Sequence, residues 1–498
     1  MVLSRVGTPF SALAAFTAWA LFACGAPVSA DVPTDFKVET IATGISHPTC
    51  LIHLPDGRIL VNELGGNIKV LKNKNITQIF TLPVSKAAEQ GLLKMIAHPA
   101  FATNHFLYLY YTTPDNDHHN IDRVILGDDN TVTGQVNLVK LPKITNVGLH
   151  NGSAMAFGKD GMLYVGRGED VTATWSPLWT TQRGKILRFT EEGKPAPGNP
   201  HYDVAGATDE EKSIWARGFR NPWTLTYDNA SGRLFEGDVG NLHEEINDVT
   251  SPDPAKDYWY GYGPDYPPGD GHDPTKDGKT IDPLYYYNTG SIGCAVLSEL
   301  PLTSTATRWP AKYRNRLYFS DYCNSWIRSM PMKPAGEGVD VNAVGSGMEI
   351  FSTTGFYNPL GMSQGIDGDI YLVGYGNGQV LHISYTGALD PLDLADPGVR
   401  KETGPGLSAI VGRASDLRIR MDGEAGSPTT GTAQSSVPAV FAARGLDGKE
   451  FFRAQVSLRN GEGLVKGFRA QRSGVTLYTL EWRDAAGARR LGGRLISR

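Results

Sequence analysis

From Asp56 to Leu381 the chain repeats one pattern: a turn, an apolar run of about four residues, a polar break and a second apolar run. It reads first as Asp56-Gly57-Arg58-Ile59-Leu60-Val61 with Gly66-Asn67-Ile68-Lys69-Val70, and again as Phe106-Leu107-Tyr108-Leu109-Tyr110-Tyr111 with Asp122 to Leu126. Asp160-Gly161-Met162-Leu163-Tyr164-Val165 pairs with Gly184-Lys185-Ile186-Leu187-Arg188, and Gly232-Arg233-Leu234-Phe235 with Glu245-Ile246-Asn247. The last two copies are Arg316-Leu317-Tyr318-Phe319 with Trp326-Ile327-Arg328 and Asp367-Gly368-Asp369-Ile370-Tyr371-Leu372 with Gly378-Gln379-Val380-Leu381. A short β unit recurring every roughly 40 to 80 residues predicts an all-β, six-bladed β-propeller, each copy supplying the middle strands of a four-stranded blade. A β-sandwich also contains hairpins but does not repeat turn and strand so regularly.

The stretch from His150 to Asp170 holds the third copy and the first candidate chemistry. Ala154 to Phe157 and Met162 to Val165 flank the turn Lys159-Asp160-Gly161, which predicts a hairpin. Folding there brings the two outer ends together, so His150 and Asp170 are expected at one rim of a sheet, where they could form an acid/base pair.

After Tyr385 the pattern lapses. Residues 395–438 are polar, and the part from Gly423 to Pro438 is rich in Gly, Ser and Thr, which reads as a linker. Alternation returns in Val475-Thr476-Leu477-Tyr478-Thr479-Leu480-Glu481-Trp482, predicting a small β-rich C-terminal extension over 439–498. Residues 1–30 read as a secretory signal: Arg5, an apolar run from Ala12 to Ala23, and Val28-Ser29-Ala30 before Asp31. The run is too short to span a bilayer, and processing at Cys24 as a lipoprotein is the alternative. Residues 31–394 are then the propeller, and the predicted location is secreted or periplasmic.

The 58 Gly, 31 Pro and 21 Tyr suit a turn-rich β protein, and a net charge of −5 argues against a nucleic-acid partner. With Cys24 removed and Cys50 in the apolar stretch Pro48-Thr49-Cys50-Leu51-Ile52, the expected disulfide joins Cys294 and Cys323. Asp270-Gly271-His272-Asp273 and Asp277-Gly278 fit a solvated turn better than a calcium loop.

Several motifs in order carry a resemblance: Gln90-Gly91-Leu92-Leu93, Ala97-His98-Pro99-Ala100-Phe101, His150-Asn151-Gly152 and Gly184-Lys185-Ile186-Leu187-Arg188. Gly218-Phe219-Arg220-Asn221-Pro222, Gly237-Asp238-Val239-Gly240 with Glu244-Glu245-Ile246-Asn247, and Asp321-Tyr322-Cys323 continue it. Over residues 35–386 the chain resembles the soluble sugar dehydrogenases that use pyrroloquinoline quinone (PQQ), and the related Hedgehog-interacting-protein-like propellers. The resemblance implies oxidation of an aldose sugar at C1 to the lactone by hydride transfer to PQQ. It implies His150 as base, Asp170 as the aspartate orienting it, and Arg220 and Asn221 at the quinone's carbonyl edge with Gln90. It implies Ca2+ held by backbone oxygens in Gly240-Asn241-Leu242, and a soluble or membrane electron acceptor. The family's late-blade lysine and arginines, which meet the quinone's carboxylates, have no counterpart around Cys323 to Trp326 or Tyr357 to Met362. Two other functions therefore stand beside the dehydrogenase: a non-catalytic binding propeller that has lost the quinone, and a calcium-dependent lactonase-type propeller, which needs carboxylates converging on the channel.

Overall fold

A computed structural model describes residues 30–145, 148–258, 280–302, 309–332 and 349–387, together with the backbone of seven strands between 406 and 497. Six four-stranded antiparallel sheets follow one another as the blades of a propeller. Blade 1 comprises Pro48–His53, Ile59–Glu63, Asn67–Lys72 and Asn75–Thr81. Blade 2 comprises Leu92–Ala97, Phe106–Thr112, His119–Leu126 and Val132–Lys140. Blade 3 is built from Met155–Phe157, Leu163–Arg167, Lys185–Phe189 and Ile214–Arg217. Blade 4 uses Pro222–Asp228, Arg233–Asp238, His243–Asp248 and Tyr285–Asn288. Blade 5 uses Val296–Leu302, Arg316–Asp321, Ile327–Pro331 and Glu349–Ser352. The six sequence repeats are the second and third strands of these blades, as expected.

Blade 6 closes the ring. Its first three strands, Pro359–Gln364, Ile370–Gly374 and Gln379–Tyr385, come from the end of the propeller, and its outer strand is the N-terminal Phe36–Ala42. The pairing runs from Phe36 opposite Tyr385 to Ala42 opposite Val380.

Alternation explains the packing. Leu163, Val165 and Leu187 are fully buried, as are Leu60, Ile68 and Leu107, so apolar faces of neighbouring blades pack on one another. Each such side chain contributes about 1.5–3 kcal/mol. In several blades the turn joining strands one and two is held by an aspartate. In blade 3, Asp160 accepts from the Met162 amide at 3.1 Å and from the Tyr164 hydroxyl at 3.0 Å, and Arg188 Nη2 reaches the same carboxylate at 2.8 Å. At the opposite end, five first strands carry a bulge: Pro48/Cys50, Leu92/Lys94, Pro222/Thr224, Val296/Ser298 and Pro359/Gly361. Bulges at a sheet rim re-aim side chains, and this rim carries the connections 141–154 and 168–184 that hold His150 and Asp170.

Beyond the propeller, Gly406–Val411, Asp416–Asp422 and Glu462–Lys466 form one sheet. Val437–Arg444, Glu450–Leu458, Gly474–Asp484 and Gly487–Ser497 form another. The stretch that its composition suggests is a linker thus contains two paired strands, Gly406–Val411 and Asp416–Asp422, the second alternating polar and apolar residues along its whole length. Cys294 and Cys323 are joined, with Cα atoms 5.6 Å apart, and Cys50 is a buried thiol, both as expected. The acidic turns at Asp270 and Asp277 and the signal stretch lie outside the described residues.

Candidate active site

The hairpin of blade 3 does bring its outer ends together. Ser153 N–H donates to Gly166 O at 3.2 Å and Gly166 N–H to Ala154 O at 2.8 Å, so His150-Asn151-Gly152 lies beside Gly168-Glu169-Asp170. The backbone there is unusual. His150 (φ 53°), Ser153 (133°), Asp170 (56°) and Val171 (57°) all have positive φ. Such residues cost of order 1–3 kcal/mol each and persist only where the surroundings hold them. Gly152 (φ 70°) can only be glycine, because a Cβ would stand 2.5 Å from Gly166 O.

His150 Nδ1 is hydrogen-bonded to the Glu169 carboxylate, and its amide donates to Glu89 Oε2 at 3.0 Å. Glu169 is fully buried; it also accepts from the Thr172 amide, and its own N–H donates to Arg220 O at 2.9 Å. Asp238, at the end of the second strand of blade 4, clamps the next segment by accepting from the amides of Arg220 at 2.8 Å and Asn221 at 2.6 Å. Arg220 Nη1 donates to Val239 O at 2.7 Å, and Asn221 Oδ1 accepts from the Gly152 amide at 2.8 Å. One network therefore joins blades 3 and 4 around the imidazole.

Burial, and then the positive charge of Arg220, pull the His150 pKa down to about 3, against the opposing charge of Asp170. The ring is neutral at physiological pH. A carboxylate at Nδ1 places the proton there and leaves the Nε2 lone pair as the basic site.

One expectation is corrected. Asp170 does not contact His150: its Oδ1 accepts from Arg167 Nη2 at 2.5 Å and its Oδ2 from Arg183 Nε at 3.0 Å. Two guanidiniums outcompete one neutral imidazole for a buried carboxylate, and Glu169, one residue earlier, takes the histidine. Gln90 is fully buried, with Oε1 accepting from Ser85 Oγ at 2.8 Å and its amide beside Gly148, two residues before His150. Its neighbour Glu89 reaches His150, and burial pushes that carboxyl up to about 7 despite the His150 amide and the charge of Arg220.

The connection Gly240-Asn241-Leu242 lies in the same rim. Gly240 N–H donates to Glu244 Oε2 at 3.2 Å, and a Cβ on Gly240 would fall 1.4 Å from His243 O. The Leu242 carbonyl is taken by the Thr289 amide at 2.8 Å. Burial raises Asp238 to about 7 and Glu244 to about 8, and pushes Glu236, Glu245 and Glu299 well above the ordinary carboxyl range. These acids stand on two neighbouring blades, 4 and 5.

The glucose/sorbosone dehydrogenase family matches residues 45–306, more than half of the chain. The chain belongs to that family. An aldose sugar dehydrogenase of Escherichia coli is 27% identical over 228 residues, covering 43% of this chain and 60% of that protein. The solved structure of an oxidoreductase from Thermus thermophilus, described as a glucose dehydrogenase, superposes with a TM-score of 0.58 at 28% identity, covering 70% of this chain and 99% of that one. The PQQ-bound form of an aldose sugar dehydrogenase from Streptomyces coelicolor superposes with a TM-score of 0.56 at 23% identity, covering 71% of this chain and 99% of that one, which speaks for the fold.

In this glucose/sorbosone dehydrogenase family member, the motifs did not single out Glu89 or Glu169, while Asp238 stands in a motif and its role as a clamp comes from the structure. Each is adjacent to, or inside, a motif already singled out. The available signal was the doublet Glu169-Asp170, in which either carboxylate could face the histidine.

Proposed function

We propose that the chain is an exported quinoprotein that oxidises an aldose sugar at C1 to the lactone and passes the electrons to a soluble or membrane acceptor. The observation that carries this reading is the neutral imidazole of His150, held at Nδ1 by Glu169 and set beside the Arg220 guanidinium. PQQ, when bound, supplies the two-electron acceptor. The donor set fits its carbonyl edge: Arg220 is a fixed cation anchored on Val239 O, and Asn221 is fastened to the Gly152 amide. A positive charge placed where negative charge develops is worth most in a partly dry site. Gly240 and Asn241 are the proposed backbone donors to Ca2+, in a rim whose buried acids suit a hard cation.

His150 Nε2 takes the proton of the anomeric hydroxyl, and Glu169 accepts from Nδ1–H, fixing the tautomer and stabilising the imidazolium. As that O–H bond breaks, the C1 hydrogen leaves with its electron pair and the C1–O bond becomes the carbonyl of the lactone. Arg220 favours departure of the hydride by attracting the charge it carries away.

Reconstitution of the purified protein with PQQ and Ca2+, followed by dye reduction against a panel of aldoses, tests the reading. Turnover requiring both additions supports it. One observation favours a second reading, the binding propeller without quinone: the Glu89 carboxylate lies within the field of Arg220, and the Glu169 carboxylate is on His150, an acidic setting for a tricarboxylate. Folded protein with no measurable PQQ binding would select that alternative.

A further inference from the structure

We propose a metal site on the closing blade, formed by Asp367, Asp369 and His382, that takes a divalent transition ion such as Zn2+. It lies at the turn between the first two strands of blade 6, at the opposite end of the sheet from the connections that carry His150. Comparison with blade 3 shows what is different. Both turns share an aspartate that accepts from the amide two residues on and from a tyrosine hydroxyl: Asp160 with Tyr164, and Asp367 with Tyr371 at 2.8 Å. The residue paired across the sheet with Tyr164 is Arg188, a permanent cation that closes the turn by itself. The residue paired with Tyr371 is His382, and the place of Met162 is taken by a second carboxylate, Asp369.

One imidazole thus faces two carboxylates. His382 Nε2 lies 3.0 Å from Asp369 Oδ2 and 3.5 Å from Asp367 Oδ2, and one ligand atom from each residue falls within 4.8 Å of the others. Ligand atoms about 2.0–2.1 Å from a tetrahedral Zn2+ stand about 3.3 Å apart, so both separations suit a shared ion. The carboxylates are also held from behind. Trp309 Nε1 donates to Asp369 Oδ1 at 2.9 Å, the Tyr371 hydroxyl holds Asp367, and the Tyr371 ring stacks on His382 with centroids 4.4 Å apart. Outer hydrogen bonds of this kind orient the ligands of metal centres. A second imidazole, His53, meets the same tyrosine ring at 4.5 Å; its Nδ1 is on Ser363 Oγ at 3.1 Å, and its buried Nε2 has no hydrogen-bond partner. The three ligand side chains are 15–34% exposed, which leaves room for an ion to enter with water in its remaining positions. Mixed imidazole and carboxylate donors favour Zn2+ over Ca2+.

His382 belongs to the strand that pairs with Phe36–Ala42, where it stands opposite Glu39. A bound ion would fasten this strand to the neighbouring turn of its own blade.

The test is isothermal titration of the full chain, stripped with EDTA, with ZnCl2 and separately with CaCl2, alongside thermal melting. The wild type is expected to bind one Zn2+ at this site and to melt higher with Zn2+ than without. His382→Ala should lose that binding and the shift, and Asp369→Asn should weaken it at least tenfold while keeping an oxygen for Trp309. Zn2+ binding unchanged in Asp369→Asn and His382→Ala, or no Zn2+ binding by the wild type, would overturn the proposal. Should His382→Ala fail to fold, Asp369→Asn decides alone.

Discussion

His150 rests its Nδ1 on the buried carboxylate of Glu169, while the adjacent Asp170 faces away onto Arg167 and Arg183. Two neighbouring acids therefore do different work, and their amide variants should separate. Glu169→Gln removes the charge that stabilises a protonated imidazole, so turnover should fall by about a hundredfold, within the range of general-base contributions, with little change in melting. Asp170→Asn leaves two guanidiniums short of their partner in a buried setting and should cost about 3–5 kcal/mol of stability. Steady-state kinetics paired with denaturant titration read both effects; equal loss of turnover in the two variants, at equal stability, would contradict the assignment.

Glu89 brings a carboxylate to the backbone of His150, close to Arg220. Replacement by Gln keeps an acceptor for the His150 amide and, above pH 7 where Glu89 is ionised, removes a negative charge from the rim. Affinity for the anionic cofactor should rise several-fold at low salt and the gain should shrink as salt is added. Fluorescence titration with PQQ at two ionic strengths checks it.

The buried acids give stability a definite pH slope. Glu89 and Asp238 titrate near 7 and Glu244 near 8 in the folded chain, against about 4 when unfolded, so the folded state holds the extra protons between those values. Their contribution is complete at acid pH and is lost as pH rises through 7 to 8. His150, near 3 folded and about 6.5 unfolded, has the opposite sign: its contribution is present above 6.5 and is lost as pH falls toward 3. Between pH 6.5 and 8 the acids act alone, and the melting temperature of cation-free protein should fall. Ca2+, or Glu244→Gln, should flatten that slope.

The bridge between Cys294 and Cys323 closes a loop of 29 residues across the start of the first and the end of the second strand of blade 5. Cys294→Ser should lower stability by about 2 to 4 kcal/mol. Unchanged melting on reduction of the wild type would show that the loop is held by other contacts, of which the Cys294 amide on Asp321 Oδ2 at 2.7 Å is the nearest.

The blades are legible in the sequence because second and third strands combine a turn signature with alternation, as in Asp160-Gly161 ahead of Leu163–Arg167. First strands are not: Val296–Leu302 is buried at every position and so shows no alternation. The pairing of Phe36–Ala42 with Gln379–Tyr385 has no local trace either, since a register between distant segments is set by the closed ring. At the site, His150, Arg220 and Asn221 stand in recognisable motifs, and the one correction is a shift of a single residue. Glu169 rather than Asp170 meets the histidine because Arg167 and Arg183 hold Asp170, a competition that a sequence does not display.

The closing blade also sets the order in which this protein can become itself. Phe36–Ala42 is made first, yet it has no partner until Gln379–Tyr385 has been made. Throughout synthesis the early strand carries an unpaired edge, the kind of surface that recruits other chains. Contacts this remote along the sequence form slowly, so the last step of folding is the shutting of the ring, and the interval before it is when the chain is most open to chaperones, proteases and aggregation.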